Sequence, residues 1–407
     1  MPDEFRMVRY TPADRRGVFE LMRAAVSEQY ANHLMGQWDW KYDSHPLNAE
    51  AERARQAHWM AFLPRMREMY PPEVQASWGV RLEPLNQVTE DAPYILLLKD
   101  GERVVAMTAT MPQEFMIDGK RRLVAVGCDS AVHPDYRGKF LSMRMTLRLG
   151  AEHPLVVTWS NRATVKVRTA FRKRTASEQP ARHPGPVGMR ITAQVKPLDW
   201  SYMMKRETGI GLPKSVARLM AANRARHPAT AARMPDVDVF NLESFDHRID
   251  DLWHRASTTH PVIGIRDSNY LNWRFNLRPH AGYQRLAARR GDDLIGYLIF
   301  RIVEQDGARS GHIVDFLSEG DPSGVFAYLL QRAEEQMLAA GVKSVVCAMA
   351  HPHSRRVLRR SGFFPAVFAE PRFMTVGITQ PDPEVSGFQD LPQWFMTSAD
   401  GDTDMIF

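Results

Sequence analysis

The stretch Val126-Gly127-Cys128-Asp129-Ser130-Ala131-Val132-His133-Pro134-Asp135-Tyr136-Arg137-Gly138-Lys139-Phe140-Leu141-Ser142 gathers the residue types of this chain best suited to chemistry. A strand pattern ends at Val132, a turn with Pro134 follows, and a basic glycine-containing loop opens a helix pattern running from about Phe140 to Leu149. Backbone N–H groups at a helix start have no intrahelical partner, and the helix dipole favours an anion there. Arg137 and Lys139 add positive charge, so the arrangement suits a pyrophosphate. Asp129, on the strand before the loop, could accept a proton from an attacking ammonium, directly or through water. A structural role as a cap or ion-pair partner fits it equally. Cys128 could carry an acyl group, although a buried, inert thiol is the commoner state of cysteine. His133 reads as a turn residue.

These residues need a sheet to hold them. Tyr94–Leu98 and Arg103–Ala109 read as a β-hairpin around Asp100-Gly101, Met116–Lys120 as a further turn, and Leu123–Val132 as a strand apolar on both faces. Leu155–Trp159 is a buried strand, and a helix pattern runs from Asn161 to near Phe171. Near the start, Val8–Tyr10 is a short strand and Val18–Val26 a helix with apolar residues on one face. Residues 174–190 read as a loop, and Ile191–Lys196 as a closing strand.

The second half echoes the first. Trp38-Asp39-Trp40-Lys41-Tyr42 through Pro46 matches Leu271-Asn272-Trp273-Arg274-Phe275 through Pro279, at a constant offset of 233 residues. A hairpin at 283–302, a strand at 312–317, a helix at 326–338, a strand at 344–349 and a helix at 354–362 then repeat the earlier order. Trp40 and Trp273 would each anchor a core layer. Four segments are expected: 1–200 with a helical insert at 47–93, a basic linker with a short helix at 201–236, a second domain at 237–380, and a tail at 381–407. With 407 residues and 44% hydrophobic composition, two cores are affordable and disorder is not expected.

V-H-P-D-Y-R-G-K resembles the acyl-CoA motif of the GNAT superfamily (Gcn5-related N-acetyltransferases), a strand, then x-H-P-x-Y-R-G-x-G-x-G/A, then a helix. The resemblance implies an α/β (α+β) fold of two fused GNAT-like domains, each a mixed central sheet flanked by helices. It implies that Arg137, Gly138, Lys139, Phe140, Leu141 and Ser142 wrap the pyrophosphate of acetyl-CoA or another acyl-CoA through backbone amides. It also implies that backbone at Ala131 and Val132 holds the pantetheine arm and polarises the acyl carbonyl. Val156–Phe171, with Asn161, resembles the family's next motif. Two positions depart from the pattern: Phe140 stands where it has Gly, and Lys166 where it often has a Tyr acting as general acid. The two Trp elements, with Trp394-Phe395-Met396-Thr397 and Gly401-Asp402-Thr403-Asp404, resemble those of large two-domain GNAT proteins.

An acyl-CoA-dependent N-acyltransferase acting on an amine-bearing small molecule or a carrier-bound amine is therefore expected, with Asp129 as base and Lys166 as acid. Two alternatives stay open, an aminoacyl-tRNA-dependent transferase of the Fem type and a non-catalytic GNAT-like binding protein. The R-G-K loop argues against nucleic acid as the partner. The second half has acids, Glu319 and Asp321, where the loop would be, and is expected not to bind CoA but to wall the acceptor pocket. The charge of +6 fits an anionic ligand without selecting one. Two cysteines exclude a disulfide framework or structural zinc site, and no metal is expected. A solvated acidic tail is favoured over Asp402 and Asp404 reaching the site. No signal peptide or membrane-length apolar run is found, which makes a soluble cytoplasmic protein the simplest expectation.

Overall fold

Gly101 takes a φ of 58° between Ile95–Asp100 (β2) and Arg103–Ile117 (β3), turning the chain at the expected Asp-Gly pair. The computed structural model describes residues 5–69, 71–73, 75, 82–176, 187–211, 213, 215–216, 234–305, 307–320, 322–366, 372–378 and 393–402. The chain divides into two compact units. The first comprises Met1–Phe115, Arg121–Met189 and Arg372–Gln389; the second comprises the remainder.

In the first unit, Arg6–Arg9 (β1) pairs antiparallel with β2. Arg15–Ala25 (α1) buries Val18, Phe19, Leu21 and Met22, a stripe at helical spacing. Ser27 caps Glu28–Trp38 (α2) by accepting a hydrogen bond from the Tyr30 N–H at 3.0 Å. A π-helical turn, Asp39–Asp43, extends α2, and Asn48–Met69 (α3) forms the expected helical insert. Lys120–Val132 (β4), Leu141–Glu152 (α4), Leu155–Ser160 (β5), Arg162–Ala176 (α5) and Val187–Ile191 (β6) follow.

The second unit opens with Gln194–Pro197 (β7) and Trp200–Thr208 (α6), the short helix expected after residue 200. Asp238–Asn241 (β8), His247–Ser257 (α7), Val262–Gly264 (β9) and Ser268–Phe275 (α8) lead to the long hairpin Tyr283–Arg290 (β10) and Asp293–Gln305 (β11). Ala308–Ser318 (β12), Pro322–Ala339 (α9), Ser344–Cys347 (β13), Pro352–Arg360 (α10) and Phe364–Pro365 (β14) complete the order expected from the repeat. Phe326 of α9 stacks on Phe316 of β12 with ring centroids 3.8 Å apart.

The two sheets are built alike. One reads β1-β2-β3-β4-β5-β15-β6, where β15 is Arg372–Ile378; the other reads β8-β10-β11-β12-β13-β7-β14. Each is mixed and helix-flanked, with a parallel pair at the corresponding place, β4 on β5 and β12 on β13. The sixth position is filled reciprocally. β7 follows the first half in sequence yet pairs antiparallel with β13, and β15 follows the second half yet pairs antiparallel with β5. Two expectations need correction. Ile191–Lys196 is not one closing strand but the end of β6 and most of β7, which belong to different sheets. Residues 372–378 are hydrogen-bonded in the first sheet, not the second. The pairing partner of so short a strand is far away in sequence, so local pattern does not reveal it.

Trp394–Phe395 (β16) pairs with β9, and Thr397 to Asp402 are all buried in the second unit. The expected solvated tail is thus corrected for these residues: Asp400 accepts from Arg266, which holds the segment inside. Asp404 and most of the basic segment, 217–233, lie outside the described residues. No described helix is long and apolar enough to cross a membrane.

Candidate functional site

β4 and β5 pair over Ala125–Gly127 and Val156–Thr158. A Cβ on Gly127 would lie 2.8 Å from the Thr158 side chain, so the close approach of the strands there requires glycine. Beyond this point β4 runs on to Val132 and β5 to Ser160. α4 and α5 then start beyond the ends of these two parallel strands, so both helix N-termini lie at the same end of the pair, past Gly127 and Thr158.

The loop from β4 to α4 has a defined path. His133 takes the expected turn position, accepting at Nδ1 from the Asp135 N–H, while its Nε2 lies 2.8 Å from Arg103. A short 3-10 turn, Pro134–Tyr136, follows. Gly138 has a φ of 84° and open space where a Cβ would be. Phe140 is the N-cap of α4 and is also left-handed, at φ 56° and ψ 25°. That conformation favours glycine, the residue the resembled motif has at this position, and Phe140 adopts it with a side chain. α4 then presents the first-turn N–H groups of Leu141 and Ser142. Arg137 donates to the Ala25 carbonyl at 3.1 Å, and the Lys139 ammonium lies 5.1 Å from the Phe5 ring centroid and 5.4 Å from that of Tyr136. The residues present therefore fit an anion: a basic loop, two left-handed residues and a helix start.

Asp129 sits in β4 with a φ of 45°, an interruption of regular strand geometry that Asp tolerates better than most residues. Its side chain is fully buried. Lys41 Nζ donates to it at 2.7 Å, and the hydroxyls of Tyr30 and Tyr42 donate as well. Tyr42 Oη also lies 3.4 Å from Cys128 Sγ, and Cys128 is buried. Burial pushes the Asp129 carboxyl up, but Lys41 and the hydrogen bonds outweigh it and hold the group below the usual range. Burial, then the neighbouring Asp129, pushes the Tyr42 phenol well up. Tyr30 and Lys41 are eleven residues apart, about three helical turns, which places them on one face of α2 and its π-helical extension. Within this cluster Tyr30 is half-buried while Lys41, Tyr42 and Asp129 are buried.

Asn161 caps α5, its Oδ1 accepting from the Thr164 N–H at 2.8 Å. Lys166 is exposed in the second turn of that helix. Ala131 is buried and Val132 half-buried at the end of β4. The structure thus brings Ala131, Val132 and the 137–142 loop together by chain continuity, and surrounds Asp129 with three residues that sequence reasoning had not singled out: Tyr30, Lys41 and Tyr42. The signal for the last two was present in the Trp-Lys-Tyr element, where a lysine between aromatic residues read only as packing. Trp40 and Trp273 are buried, as expected of core anchors.

The second unit carries a counterpart of the buried acid. Asp315 in β12 accepts from Arg266, Tyr297 and Thr397. At the following helix start, Glu319 pairs with Arg255 at 3.0 Å.

No protein-family model and no curated protein matches the chain. Among solved structures, Saccharomyces cerevisiae N-myristoyltransferase with bound myristoyl-CoA is similar at a TM-score of 0.54 and 12% identity, over 97% of this chain and 90% of that one. A GCN5-related N-acetyltransferase from Anabaena variabilis is similar at a TM-score of 0.53 and 12% identity, over 92% of this chain and 73% of that one. At such identities the likeness shows the fold: a GNAT-type architecture with two similarly built sheets.

Proposed function

We propose that the first unit is an acyl-CoA-dependent N-acyltransferase, using acetyl-CoA or another acyl-CoA to acylate an amine-bearing small molecule or a carrier-bound amine. The observation that carries this reading is the left-handed pair Gly138 and Phe140, leading into the start of α4 beyond the paired stretch of β4 and β5 that ends at Gly127 and Thr158. In this reading acyl-CoA supplies the activated acyl group. The N–H groups of Leu141 and Ser142, with Arg137, Gly138, Lys139 and Phe140, hold its pyrophosphate, and backbone at Ala131 and Val132 holds the pantetheine arm and polarises the carbonyl. Asn161 fixes the start of α5 on the other side.

Asp129 is too enclosed to meet an acceptor directly. Tyr30 is the half-buried member of its cluster. The acceptor's proton passes to the Tyr30 oxygen as the Tyr30 hydroxyl proton passes to Asp129, so no net charge is left on the phenol. Lys41 keeps Asp129 ionised and ready to receive that proton. Lys166 is the candidate donor to the departing thiolate. The second unit, with acids at its equivalent loop, binds no CoA.

Calorimetric titration of the full chain with CoA, then with acyl-CoAs from acetyl to myristoyl, tests this reading and the acyl length together. Saturable binding that weakens about tenfold, roughly 1.4 kcal/mol, in an Arg137→Ala/Lys139→Ala variant is expected. No binding of any CoA species at millimolar concentration would overturn it.

A further inference from the structure

In the second unit, α10 carries four arginines and no acid: Arg355, Arg356, Arg359 and Arg360. At about 100° per residue they fill an arc of about 140° around the helix. Ser354, Val357 and Leu358 lie on the opposite side and are buried, Val357 and Leu358 in the core of the unit. Arg356, Arg359 and Arg360 are exposed, and Arg355 is half-buried.

Among the described residues, none of these four side chains has a hydrogen bond or an ion pair. Other exposed arginines of the same unit do pair, Arg289 with Asp238 at 2.9 Å, Arg290 with Asp236 at 2.6 Å and Arg309 with Glu304 at 3.2 Å. The helix C-terminus favours cations, and Arg359 and Arg360 lie in the last turn. That effect fades within a turn, so it does not account for Arg355 and Arg356.

We infer that this face of α10 docks an acidic helix of a partner protein. Arg355 and Arg359 form one row and Arg356 and Arg360 another, the members of each about 6 Å apart along the axis. Carboxylates four residues apart on a facing helix repeat at the same distance, and guanidinium forks match carboxylates bidentately. Exposed ion pairs are individually weak, so the four steer and align the partner more than they hold it. Phe364, four residues past the helix and 37% exposed, adds an aromatic contact of the kind enriched at interfaces. Its ring stacks on Trp200 with centroids 5.8 Å apart, which fixes its position. Two other polyanions fit less well. A bilayer takes up a helix by its apolar face, and that of α10 is packed in the core. A nucleic-acid strand follows a longer basic groove with open rings to stack on. These arginines span only about 7.5 Å of axis, and one face of Phe364 is already covered.

Fluorescence anisotropy of the full chain with a labelled, hydrocarbon-stapled Ala/Glu helix of about 20 residues, its glutamates in two rows at four-residue spacing, tests this. That peptide should bind saturably, and more weakly as salt rises. An isomer of the same composition, with its glutamates spread evenly around the helix, should bind at least tenfold more weakly. Arg356→Gln/Arg360→Gln should weaken binding of the first peptide at least tenfold while keeping the parent melting temperature, because both side chains are exposed and make no pair. Poly(U) and phosphatidylserine vesicles should bind less tightly than the peptide. No binding of the first peptide, equal binding of the two isomers, tighter binding of poly(U) or of vesicles, or peptide binding that survives the double substitution would overturn the inference.

Discussion

Asp129 and Asp315 hold the same place in the two sheets, each three residues before the last residue of its strand, β4 ending at Val132 and β12 at Ser318. Each also stands where regular pairing is interrupted, Asp129 by its positive φ and Asp315 beside the register shift between Ile299 and Phe300. Both side chains are fully buried and paired with a cation, Lys41 for one and Arg266 for the other. The buried acid is thus a feature of the repeated fold before it is a feature of catalysis. The first unit adds the half-buried Tyr30 to its acid, and the chemistry proposed here turns on that phenol.

Tyr30→Phe keeps the ring and removes the hydroxyl. If the phenol relays the proton, kcat should fall at least tenfold while CoA affinity is unchanged. The stability cost should be about 1.5–3 kcal/mol, the range for a hydrogen bond to a charged group. Steady-state kinetics beside urea unfolding separates the two effects.

Lys41→Met should be far more damaging to the fold, because it leaves the Asp129 carboxylate buried without its cation. Loss of one partner of a buried pair costs about 3–5 kcal/mol. The double variant Lys41→Met/Asp129→Asn should recover much of that loss, and a double-mutant cycle in urea measures the coupling.

At Phe140 the comparison is between Ala and Gly. Both remove the ring, and only Gly removes the Cβ from a left-handed position. Phe140→Gly should therefore be more stable than Phe140→Ala by about 1 kcal/mol. Equal stability of the two in chemical denaturation would show that residue 140 is not left-handed in solution.

Glu52 sets a pH dependence. Burial pushes its carboxyl up, but Arg55 and Arg9 outweigh that and hold it at about 2, against an ordinary 4.5. Its folded pKa is depressed, so its contribution to stability is complete above pH 4.5 and is lost as the pH falls towards 2. Unfolding followed across that window should show a steeper loss for the parent chain than for Glu52→Gln, which should already be less stable at pH 7.

Much of the first unit was legible because its signals are local. Asp100-Gly101 marks a turn, the apolar run to Val132 marks a buried strand, and the basic loop after it marks a helix start suited to an anion. The repeat was legible because the Trp40 and Trp273 elements share an ungapped spacing. The reciprocal placement of β7 and β15 was not, because hydrogen bonds to a distant strand leave no pattern in four or seven residues. The surroundings of Asp129 were hidden for a related reason. Tyr30 and Lys41 meet it 99 and 88 residues away in sequence, and only the folded sheet brings them together.

The strand β15 imposes an order on the making of this protein. A ribosome delivers residues 5–191 first, yet the sheet they build has β15 between β5 and β6. That sheet stays unfinished until residue 378 has emerged, after nearly all of the second unit has been made. A gene cut after residue 200 would leave the first fragment short of its sixth strand, and the second fragment short of β7. The two halves can be inherited as copies, but neither can be completed without the other.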